Sequence, residues 1–104
     1  MLIEQRLVSR KTPLDGRLEI SAAAAAQLQE LGASFPLRTA SGEGNARLHA
    51  MSCTCAKSHT AGQHLHHFVE SEVLRALEPG SEVRLELDDA RPRSLSIVSA
   101  QRSD

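Results

Sequence analysis

The run Glu82-Val83-Arg84-Leu85-Glu86-Leu87-Asp88 decides the fold. Val83, Leu85 and Leu87 alternate with charged neighbours, and that period of two puts every apolar side chain on one face of a half-buried β-strand. The next residues, Asp88-Asp89-Ala90-Arg91-Pro92, carry turn chemistry. Leu95, Ile97 and Val98 then mark a partner strand over 94–99, so the chain closes on a hairpin.

Immediately upstream, Val73, Leu74 and Leu77 share a helical face, and Pro79-Gly80 stops the element. This predicts a helix over 71–77. An earlier helix begins at Ser21, whose hydroxyl can accept an orphan backbone N–H. It runs through five alanines at 22–26, the residue with the highest helix propensity. Leu28 and Leu31 supply its inward stripe, and Gly32 suits its C-terminal end. The alanines let the helix lie close to a sheet; they could equally form a contact in a homodimer.

The remaining strands are expected over 2–10, 17–20, 37–40, 46–55 and 63–69, with Ser41-Gly42-Glu43-Gly44-Asn45 as the loop of a hairpin. The order is then β β α β β β α β β. Segment 17–40 reads strand, Ser, helix, Leu, turn, strand, and 64–88 repeats that pattern without repeating its residues. Two such halves with hairpins between them suit an α+β protein: a small, mostly antiparallel β-barrel with two short helices, closed so that few strand edges are exposed.

The segment His67-Phe68-Val69-Glu70-Ser71-Glu72-Val73-Leu74-Arg75-Ala76-Leu77-Glu78-Pro79-Gly80-Ser81-Glu82-Val83-Arg84-Leu85-Glu86-Leu87 resembles the late helix, turn and strand of the DNA-binding pseudobarrel family. That family comprises domains of plant transcription factors and effector domains of some restriction enzymes. The resemblance implies a pseudobarrel that binds DNA. No base-contacting motif is matched, so it assigns no individual contact residue, and the acidic balance of 82–89 departs from the family's binding face.

At 104 residues the chain has the length of one domain, 1–104. Its apolar content is 40% and its charged content 24%, ordinary for a globular protein, but aromatics are only 2%. A formal net charge of -1 excludes a strongly basic nucleic-acid binder. No apolar run is long enough to span a bilayer, and a charge at Glu4 comes too early for a signal peptide. Cys53 and Cys55 are too close in sequence for an unstrained disulfide. The expectation is therefore a cytoplasmic protein without a membrane segment.

The densest chemistry is Cys53-x-Cys55-x3-His59-x4-His64-x-His66-His67. Thiolates and imidazoles are the donors that tetrahedral zinc prefers, and Cys53, Cys55, His59, His64 and His66 could supply four of them. Against this, familiar zinc modules space paired cysteines by two to four residues. The other readings are a small buried cysteine beside surface histidines, or a thiol activated by an imidazole in a small Cys/His enzyme.

Local charge says more than the total. Acid concentrates in 70–89, whereas 6–17 and 34–69 are mostly cationic. Phosphate contacts need only a local patch of Lys and Arg with hydroxyl donors nearby. Arg10, Lys11, Arg38, Thr39, Ser41, Lys57, Ser58 and His59 fit that description. With so few aromatics for stacking single-stranded bases, duplex DNA is the expected nucleic acid. The competing expectation is a zinc-stabilised interaction or structural module that binds none.

Overall fold

The alternation at 82–88 becomes a strand with Val83, Leu85 and Leu87 buried and Glu82 and Arg84 exposed. The structure, a computed structural model, describes residues 1–52, 65–89 and 93–100. Among these the strands are β1 (Leu2–Leu7), β2 (Arg17–Ile20), β3 (Phe35–Thr39), β4 (Gly42–Ser52), β5 (Leu65–Glu70), β6 (Glu82–Asp88) and β7 (Ser94–Ser99). They form a seven-stranded sheet in the order β1-β6-β7-β3-β4-β5-β2. All pairings are antiparallel except β3 with β7, which is parallel. The sheet curls into a nearly closed barrel, the expected small α+β architecture.

Closure stops between the two edge strands, β1 and β2. A side chain bridges this seam: the Glu4 carboxylate on β1 accepts the backbone N–H of Ser21, just past β2, at 3.0 Å. Val8, Leu18, Leu28, Leu37, Val69, Leu74, Leu85 and Leu95 fill the interior, each at most 1% exposed. Burying one such side chain contributes roughly 1.5–3 kcal/mol, so this set supplies most of the driving force.

Helix α2 (Ala22–Gln29) starts as expected, with the Ser21 hydroxyl accepting the Ala24 N–H at 3.1 Å. Ala24, Ala25 and Leu28 face the core, while Ala22, Ala23 and Ala26 stay exposed. Gly32, at φ +101°, turns the chain away after the helix.

Three details differ from the sequence reading. The element expected over 71–77 is a 3-10 helix, Glu72–Ala76, capped by Ser71. A four-residue helix, α1 (Thr12–Asp15), was not expected and opens on Pro13 in its first turn. Finally, Gly42–Asn45 is strand rather than loop, because β3 and β4 pair from Thr39↔Gly42 to Phe35↔Ala46 and leave only Ala40 and Ser41 at the turn.

The internal echo is real in one respect. Its two first strands, β2 and β5, pair with each other from Arg17↔Glu70 to Ile20↔His67. Each is followed by a serine cap, Ser21 or Ser71.

Candidate functional site

The pairings fix where the loops lie. Leu7 aligns with Glu82, Val83 with Ser99, and Thr39 with both Ile97 and Gly42. Arg47 and Arg17 both align with Glu70. The β1–β2 connection, which carries Arg10 and Lys11, and the β3–β4 turn therefore share one end of the barrel. Ser52 and Leu65 terminate β4 and β5 at the other end. Lys57, Ser58 and His59, like Cys53, Cys55 and His64, lie outside the described residues.

Between those ends runs the outer wall of β2, β5 and β4. Alternation puts Arg17 and Glu19, then His66, Phe68 and Glu70, then Arg47, His49 and Met51 on one face, with Leu18 and Val69 turned to the core. Glu70 organises the wall. Its Oε2 accepts the Arg17 Nε–H at 2.7 Å and its Oε1 accepts the Arg47 Nε–H at 2.6 Å. The Arg17 hydrogen bond, followed by that from Arg47, holds the Glu70 carboxyl below the ordinary glutamate range despite its partial burial.

A cleft of about 580 Å³ opens where this wall meets the seam. Arg6, Leu7, Ser9, Lys11, Thr12 and Asp15 line one side of it, and Arg17, Leu18, Glu19, Met51, Ser52, His66 and Phe68 the other. At its imidazole end, His66 Nδ1 lies 2.7 Å from Glu19 Oε2.

The sequence-derived phosphate contacts have different surroundings. Arg38 pairs with Glu43 at 2.8 Å across the β3–β4 hairpin. The Thr39 hydroxyl is spent inside the turn, within 3.0 Å of Ser41 Oγ, 3.2 Å from the Gly42 carbonyl and accepting the Ser41 N–H at 3.2 Å. Arg10 and Lys11 are exposed. Among the described residues, every other Lys or Arg has a carboxylate within 4.0 Å.

The structure thus joins Lys11 to His66 through one cleft, and leaves Arg38, Thr39 and Ser41 at the turn. The sequence reading missed Arg6, Arg17, Glu19 and Phe68 as lining residues; their alternation on β1, β2 and β5 was the available signal. The acidic strand β6 and the wall of β4, β5 and β2 are separated by β7 and β3 on one side and by β1 and the seam on the other. Among the described residues no helix is long and apolar enough to cross a membrane, and no cluster of three His, Cys, Asp or Glu groups is placed to hold a metal.

Compared with known protein families and with curated proteins, the chain matches none.

Proposed function

We propose that the chain is a DNA-binding module of the pseudobarrel kind that grips duplex phosphates from the α1 turn. The observation that carries this reading is the adjacent pair Arg10 and Lys11, exposed and without a carboxylate partner among the described residues. An ammonium or guanidinium already neutralised by a neighbour gains little from a phosphate, whereas an unpaired one releases counterions on binding. Arg38 is in the first category, Arg10 and Lys11 in the second. The test is binding of a random-sequence duplex across a salt series. Affinity at low salt that falls linearly on a log–log plot supports the reading, and absence of low-salt binding removes it.

A second reading concerns zinc. Glu19 Oε2 lies 2.7 Å from His66 Nδ1, the kind of carboxylate contact that supports a metal-ligating histidine. His66 fits as one ligand; its sequence-derived companions Cys53, Cys55, His59 and His64 lie outside the described residues. On this reading zinc supplies folding free energy rather than chemistry.

A further inference from the structure

We propose that the open seam between β1 and β2 is a binding site for a short extended peptide of another protein, which adds one strand to the barrel wall. The inference stands independently of DNA binding.

Backbone direction carries the argument. The Val8 N–H donates to the Ser81 carbonyl and the Val8 carbonyl accepts the Gly80 N–H, so Val8 turns both groups toward β6. Alternation along the strand then turns Gln5 and Leu7 the other way, into the seam. On β2 the Gly16 carbonyl accepts the Ser71 N–H on the β5 side, which turns Arg17, Glu19 and Ser21 toward β1. Two opposed strand edges aim main-chain donors and acceptors into one gap.

Side chains stopper both ends of the β2 row. Asp15 Oδ1 accepts the Arg17 N–H at 3.1 Å, and Glu4 Oε2 accepts the Ser21 N–H at 3.0 Å. Each carboxylate stands where the carbonyl of a neighbouring strand would. Between them the Glu19 N–H, and across the gap those of Gln5 and Leu7, have no partner among the described residues. The cleft of about 580 Å³ opens over this uncovered stretch, with Arg6 and Leu7 on one bank and Arg17, Leu18 and Glu19 on the other.

That row selects its occupant. An extended backbone presents N–H and C=O groups alternately to its two sides, so a single strand answers both edges at once, as in peptide recognition by strand addition. The stoppered ends limit the pairing to about three residues of the occupant. Its alternate side chains point outward beside Leu7, which is 63% exposed, and inward over the buried Leu18. The lining mixes Arg6, Lys11 and Arg17 with Asp15 and Glu19, so it favours no sign of charge, and an uncharged, β-branched segment fits it best.

The probe is acetyl-Thr-Val-Thr-Val-Thr-amide, and its control is the same peptide N-methylated at both valines, which removes every donor along one edge. Amide hydrogen exchange of the full chain, read by NMR, reports the contact directly. The peptide should protect the Gln5, Leu7 and Glu19 amides saturably and leave those of Arg17 and Ser21 unchanged; the N-methylated copy should protect none. Leu7→Pro removes a donor that the β1–β6 ladder does not use and should weaken binding about fivefold. Leu7→Ala keeps that donor and should weaken it no more than about twofold. Circular dichroism establishes that both variants are folded, and the N-methylated peptide tests the backbone contact without any variant. Absence of saturable protection at millimolar peptide, equal protection by the N-methylated copy, or equal weakening by folded Leu7→Pro and Leu7→Ala would each overturn the proposal. Protection that rises with protein concentration alone would assign the seam to a second copy and overturn it too.

Discussion

Arg17 and Arg47 share the two oxygens of one carboxylate, Glu70, at 2.7 and 2.6 Å. That carboxylate ties β2 and β4 to the strand between them, β5, on the outer wall of the barrel. β2 has only four residues and pairs on one side, so this clasp holds an edge strand that its own ladder secures weakly.

The clasp has a defined pH dependence. Because the folded Glu70 carboxyl titrates below its unfolded value, its stabilisation is complete above the unfolded value. It is lost as pH falls through the folded value. Glu70→Gln should cost about 1 kcal/mol in urea unfolding at neutral pH, the scale of a partly shielded pair of charged contacts. The gap from wild type should narrow as the pH drops below the glutamate range. A gap constant with pH contradicts the assignment.

Gly16 is required where it stands. Its φ is +70°, and a Cβ there would lie 2.9 Å from the Ser71 carbonyl oxygen. The Ser71 N–H also donates to the Gly16 carbonyl at 2.9 Å, so neither backbone can easily withdraw. Gly16→Ala should destabilise by roughly 2 kcal/mol, combining the left-handed penalty with the clash. Chemical denaturation measures it; a change under a few tenths would show that the junction yields.

The two faces of α2 should respond differently. Leu28 is 0% exposed, so Leu28→Ala should cost about 2–5 kcal/mol through lost burial and a cavity. Ala26 is exposed, and Ala26→Leu should change stability by no more than about 0.5 kcal/mol. A large effect at Ala26, or dimer dissociation on dilution, would mean the alanine face is covered.

The zinc reading makes its own prediction. Titration of the reduced chain should show stoichiometric zinc, with Glu19→Gln weakening affinity about tenfold through loss of the histidine's supporting carboxylate. Absence of binding, or binding indifferent to Glu19→Gln and His66→Gln, would dispose of it.

Legibility in the sequence followed the physics of each element. β6 and β7 were readable because one face is packed and the other wet, which forces strict alternation. Gly42–Asn45 was read as loop because glycine usually marks turns. Gly44 instead lies in a strand against the 3-10 helix, where a Cβ would come 2.8 Å from Val73 Cγ2. The short α1 offered Pro13 as its start signal and too few residues for any periodicity. The site was less legible still. Arg17 and Glu70 are 53 residues apart and Arg47 and Glu70 are 23, so only the register of β2, β5 and β4 brings them together. The Arg10–Lys11 pair could be picked from composition, but its lack of a carboxylate among the described residues, and Arg38's possession of one, follow from the fold.

The central claim is that Arg10 and Lys11, rather than Arg38, make the phosphate contacts. The most direct measurement is the salt dependence of duplex binding for wild type, Arg10→Gln/Lys11→Gln and Arg38→Gln. Each lost phosphate contact should lower the log–log slope by about 0.9, so the double variant should be shallower by about 2 while Arg38→Gln keeps the wild-type slope. A double variant that retains the full slope, or a wild type that binds no duplex at low salt, would contradict the account.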